Sequence, residues 1–130
     1  MITFRPNWLH LDLPIRTVSE TNQREHWAIK ARRVKSQRDA IVLALCTLKE
    51  MRTVRKWDHW FVLFVRVSPR KLDDDNLVSA FKAIRDQIAH ELGVNDGSPQ
   101  INFSYKQWKG NVGKQSISIL ISKTSEYSLE

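Results

Sequence analysis

The sequence predicts an α+β fold: a mixed β-sheet carrying two main helices, in the order β-α-β-α-β-β. Apolar residues alternate or run continuously in four short segments, and they recur at helical spacing in two longer ones. Turn-forming residues punctuate the joints. No internal repeat, low-complexity segment or Gly, Pro or Ser-rich linker interrupts the 130 residues, so a single domain over 1–130 is expected.

Residues 8–13, WLHLDL, alternate apolar and polar as a half-buried strand does, and Pro14 closes them. A long helix is expected from about 20 to 51, where Trp27, Val34, Ile41 and Leu48 share one spacing, supported by Ala31, Leu45 and Met51. Residues 60–67, WFVLFVRV, have the composition of a central strand covered on both faces. A second helix over 75–92 carries Leu77, Phe81, Ile84, Ile88 and Leu92 on one stripe. Gly93 then stands where a helix end favours a left-handed residue. Asp96-Gly97 and Ser98-Pro99 mark turns, after which 101–108 and 116–122 read as strands joined by a hairpin-like KGNVGK. The closing TSEYSLE reads as a frayed tail.

Hydrophobic residues at 42% exclude a disordered or fibrous chain. No apolar run approaches the roughly 20 residues that cross a bilayer, and the first residues lack the pattern of a secretion signal. No membrane partner is expected, and the location expected is the cytoplasm. Cys46, inside AIVLALCTL, is expected to be a buried structural thiol in that reducing compartment. His26 and His90 are isolated and lack zinc-ligand spacing. The net charge of +7 favours a polyanionic partner.

Against that charge, KLDDDNL at 71–77 sets three carboxylates in a row. Capping of the second helix accounts for one and its dipole for a second, while Arg66, Arg70 and Lys71 could pair with the surplus. The functional alternative is a divalent ion. In an extended segment Asp73 and Asp75 leave on one side and Asp74 on the other, and two such carboxylates suit Mg²⁺, which keeps several waters. An EF-hand is excluded, because its glycine and glutamate positions hold Val78 and Ile84. A haloacid-type phosphatase needs a larger domain than this late motif leaves room for.

On the second helix Asp75, Ser79, Lys82 and Asp86 form a polar stripe. Lys82 either reaches a substrate phosphate or pairs with Asp86. Asp96 is a turn residue or a further acid. Lys30, Arg32, Arg33, Lys35 and Arg38 crowd the first helix, with Arg52, Arg55 and Lys56 beyond it, as a surface for phosphate contact. Lys106 and Lys109 are possible additions, and Tyr105 and Trp108 can stack on unpaired bases or pack internally.

RKLDDDNL, a helix with RDQI, and then LGVNDG together resemble the RusA family of Holliday junction resolvases of phages and prophages, over about residues 66–108. The resemblance extends more weakly to the first strand and the polar segment around Asn22. It implies a small homodimeric nuclease domain that nicks branched DNA symmetrically with Mg²⁺, or Mn²⁺ in its place, in a bacterial host cell. Asp73 and Asp75 match the family's metal-binding acids, Asp96 the second acid of a downstream pair, and Asn76 the signature amide. With Arg70, Lys71 and the first helix, Asn76 completes the expected DNA contacts.

Two departures stand out. The downstream pair is Asn95-Asp96, with one carboxylate, and the family's lysine position holds Ser79, leaving Lys82 as its substitute. Two other readings remain open: a DNA-binding protein without catalysis, and a nuclease for flaps, forks or plain duplex. The apolar surface of the long helix is the expected dimer contact.

Overall fold

The computed structural model describes residues 1–20 and 25–125. Five strands, β1 (Ile2–Arg5), β2 (Trp8–Leu13), β3 (Trp60–Ser68), β4 (Ile101–Lys109) and β5 (Ser116–Ser122), form one sheet in the order β1-β2-β5-β3-β4. β3 and β4 pair in parallel, and every other neighbouring pair is antiparallel. The helices are α1 (Trp27–Cys46), α2 (Met51–Val54), α3 (Asp74–Ala80) and α4 (Lys82–Leu92). A mixed sheet and an α+β domain are therefore as expected, but the element order is not.

β1 is an additional strand, paired with β2 from Ile2↔Leu11 to Arg5↔Trp8. Four residues are too few to display a period, so the pairing partner defines it. The connection from β4 to β5 is not a hairpin. The two strands flank β3 on opposite sides, and the loop between them crosses the end of β3, where the Gly110 N–H donates to the Ser68 carbonyl at 3.0 Å. A Cβ on Gly110 would lie 3.0 Å from Val67 Cγ1, so the crossing is close. Turn residues report that the chain reverses without reporting which strand lies between.

α1 begins at Trp27, behind a cap in which His26 Nδ1 accepts from the Ala28 N–H. Residues 21–24 of the expected helix, Asn22 among them, lie outside the described residues. The helix ends at Cys46, and the short α2 follows separately. Burial on α1 is confined to its second half, at Gln37, Ile41 and Leu45. Trp27, expected on the buried stripe, is 75% exposed. Cys46 is exposed as well, correcting the buried thiol: one residue past Leu45 the helix has turned about 100°, off the covered stripe.

The second helix is broken at Phe81, whose φ of −100° and ψ of 3° end α3 and begin α4. Its stripe is buried as expected, at Leu77, Phe81, Ile84, Ile88 and Leu92. α1 and α4 pack together over the inner sheet face, which Leu9, Leu11, Val62, Phe64, Ile117, Ile119 and Ile121 supply. At its centre the Phe64 ring stacks on Phe81, with centroids 4.9 Å apart, and on Phe103 at 5.8 Å. Leu63, Val65 and Leu120 make a smaller cluster on the other face, so β3 is buried on both sides. Phe64→Ala is expected to lower unfolding free energy by about 3–5 kcal/mol, read as a fall in the urea midpoint. A loss below about 1 kcal/mol would show that the ring stack is not the core's centre.

Candidate catalytic acid cluster and its basic surroundings

The inner face of the sheet turns polar at the carboxyl end of β3. Arg66 continues the Val62, Phe64 alternation, and its register partner on β4 is Gln107. Both side chains hold the segment that leads to the acids. Gln107 Nε2 donates to the Leu72 carbonyl at 2.7 Å and its Oε1 accepts from the Leu72 N–H at 2.8 Å. Arg66 Nη1 donates to the Arg70 carbonyl at 2.6 Å, and Nε donates to Thr17 Oγ1 at 3.0 Å. Residues 70–72 are thus tied to the strand ends on one side and to the segment before α1 on the other.

Asp73 follows as the α3 cap residue, extended at φ −62° and ψ 159°. Its carbonyl accepts the first helical bond, from the Leu77 N–H at 2.8 Å, but its side chain caps nothing. Asp74 and Asp75 occupy the first turn. The alternation expected of an extended segment therefore ends at Asp73, since helical residues advance by about 100° each. All three carboxylates are exposed, and among the described residues none joins an ion pair or side-chain hydrogen bond. Arg66, Arg70 and Lys71 do not neutralise them. Asn76 Oδ1 accepts from Ser19 Oγ at 2.8 Å, linking α3 to the segment before α1.

Asp96 sits elsewhere in the topology. Because β3 and β4 are parallel, the loop before β4 starts at the end of the sheet opposite to the loop after β3. The Asp96 carboxylate lies 3.7 Å from Arg85 Nε, while Arg85 Nη1 donates to Tyr105 Oη at 3.2 Å and the guanidinium lies over the Phe103 ring. Arg85 Nε itself is buried without a hydrogen bond, so this contact is loose. Among the described residues no three His, Cys, Asp or Glu side chains are grouped to hold a metal ion. Lys82 is 77% exposed and 4.0 Å from Asp86, which Arg38 also approaches at 3.9 Å.

The basic residues of α1 differ among themselves. Arg33 is largely buried and spans Glu20, at 2.8 and 2.9 Å, and Glu25. Those hydrogen bonds raise its pKa above the ordinary guanidinium value, and the bond from Arg33 lowers that of Glu25. Lys30 approaches the largely covered Glu20 at 4.0 Å, and Lys35 pairs with Asp39 at 2.6 Å on the surface. Among the described residues Arg32 bonds only the Ala28 carbonyl. Arg70 and Lys71 are exposed and have no carboxylate partner among the described residues. Tyr105 is partly buried against the core and Trp108 is 39% exposed.

Arg66, Thr17 and Gln107 were not anticipated as a group. The available signal was a charge at a core-register position of an otherwise apolar strand. Burial lowers the Arg66 pKa, and among the described residues it has no carboxylate partner. No protein-family model matches the chain, and a search of curated proteins finds no match.

Glu25 carries a pH dependence with a definite sign. Its folded pKa lies below the ordinary value, so its contribution is present above that value and is lost as pH falls through the lower, folded one. Arg33→Met removes the partner. The melting temperatures of wild type and variant should therefore converge as pH falls from about 5 to about 3. A constant gap across that window would show that the Arg33 effect is packing rather than charge.

Proposed function

We propose that the protein is a Mg²⁺-dependent endonuclease of branched DNA, with Holliday junctions its first substrate class. One observation carries the reading: three exposed carboxylates at the start of α3 with neither cap bonds nor ion pairs among the described residues, on a chain of net charge +7. Mutual repulsion among them calls for an external cation. Asp73 and Asp75 fit Mg²⁺ in chemistry, as hard oxygen donors in the number that this ion takes while keeping its waters. A bound ion supplies a lowered water pKa and stabilises charge on the departing oxygen.

The chain's own groups bind and orient. Arg70 and Lys71, unpaired beside the acids, contact the backbone phosphates of the strand to be cut, and the outward residues of α1 extend that surface. The ion is assigned to Asp73 and Asp75 alone, because Asp96, held near Arg85, lies at the opposite end of β3 and β4. Lys82 leaves Asp86 to place its charge near the reacting phosphate. A DNA-binding protein without catalysis is the second reading, favoured by the pairing of Asp96 and Lys82 within the protein.

Incubation with a labelled four-way junction and a matched duplex separates these readings. Junction nicking with Mg²⁺ is expected, abolished by EDTA and reduced by about 10²-fold or more in Asp75→Asn. Binding without nicks would retire the nuclease, equal cutting of duplex would retire the junction preference, and an unchanged rate in Lys82→Ala would remove that lysine.

Symmetric nicking further implies a two-fold dimer. Ile29 and Leu43, exposed at 46% and 72% and on one side of α1, offer its apolar contact. Sedimentation should give twice the chain mass for wild type and a shift toward monomer for Leu43→Glu; a monomeric wild type at micromolar concentration rejects the dimer.

A further inference from the structure

A groove of about 490 Å³ lies where the carboxyl end of β3, residues 16–19 and the loop before β5 meet. Arg16, Arg66 and Arg70 line it, and no Asp or Glu does so among the described residues. Leu72 forms part of its wall and is the residue before Asp73, so the groove adjoins the acid cluster.

The groove is built around a buried cation that has no carboxylate partner among the described residues. Arg66 is 6% exposed, on the inner sheet face just where the helices no longer cover it. Its three hydrogen bonds go to Thr17 Oγ1, the Thr17 carbonyl and the Arg70 carbonyl, all neutral acceptors. Those bonds satisfy part of a guanidinium that has five N–H donors, but they leave its charge unmatched. A buried charge without a counter-charge is costly, and the neighbours Arg16 and Arg70 add to the positive potential. A second unmet group points the same way. Gln115 Oε1, also lining the groove, is buried without a hydrogen-bond partner among the described residues. Its amide can accept from a ligand hydroxyl or, turned over, donate to an anion.

We propose that this groove binds a backbone phosphate of a nucleic-acid strand, with Arg66 as the buried counter-charge, Arg16 and Arg70 as the rim, and Gln115 as a further polar contact. A phosphate offers the planar fork of Arg66 the acceptors that its neighbours lack, and it brings the charge that they cannot. The inference rests on the proposed nuclease reading for the class of its ligand. It goes beyond that reading in fixing one phosphate next to Asp73, which sets the strand's register against the acids.

The test follows the Arg66 Nε–Hε and Gln115 side-chain amide resonances of the full chain. A short 5′-phosphorylated single-stranded oligonucleotide and inorganic phosphate are titrated in turn. The oligonucleotide is expected to shift both resonances saturably, and inorganic phosphate to move them only at higher concentration. Arg16→Ala with Arg70→Ala, both at exposed positions, should weaken the oligonucleotide's effect by about tenfold or more. Asp73→Asn with Asp75→Asn should retain or strengthen it while junction cleavage is lost.

If neither probe moves Arg66 and Gln115, the site is overturned. Equal affinity for the two probes overturns its assignment to a nucleic-acid strand. Saturable shifts in a protein that never cleaves uphold the groove and retire the nuclease, whereas cleavage with the groove silent does the reverse.

Discussion

Two parallel strands cannot be joined by a tight turn, so the chain leaving β3 at Ser68 must travel back along the sheet before entering β4 at Ile101. α3 and α4 make that return. Their route over the inner face brings Phe81 onto Phe64, and this stack at the centre of the core registers the helices against the strands. The same pairing leaves the second edge of β3 to β5, so the chain after β4 must cross the strand end at Gly110. It also sends the two acidic loops toward opposite ends of β3 and β4. Asp73 to Asp75 follow the carboxyl end of β3, and Asp96 precedes the amino end of β4.

Charge is sorted by the same architecture. Where the inner face is covered by helices, its residues are apolar. Where the helices run out, Arg66 and Gln107 take the next register positions and bond backbone instead of packing. That polar corner makes a rigid seat for residues 70–72, and so for the acids that follow. Cations on α1 are partly neutralised, Arg33 most completely, whereas among the described residues Arg70 and Lys71 beside the acids are not. Among the described residues, charges of both signs without a side-chain partner at one strand end are what remains after the internal pairs form.

Much of the core could be read from spacing. The α4 stripe and the doubly buried β3 follow from period alone, because burial on one face or on both leaves a repeat in the residues. α1 was harder to read. Its apolar residues surround the helix, so Trp27 and Cys46 looked internal while neither is covered. β1 and the true path between β4 and β5 left no local trace. In the site, the acidic run and its neighbouring cations were visible in the sequence, but the Arg66–Thr17 and Gln107–Leu72 contacts join residues far apart along the chain. The pairing of Asp96 with Arg85 depends likewise on how α4 lies over β4.

By itself the sequence determined the α+β class, where the chain leaves its helices and strands, the buried faces of β3 and α4, and a concentration of opposite charges around residue 73. These depend on a few neighbouring residues and their periodicity. Tertiary structure decided which strands are neighbours, which exposed charges keep a partner, and that a guanidinium would be buried without a counter-charge. Such outcomes depend on distances through space, and those arise only once parallel pairing has set the direction in which each loop leaves the sheet.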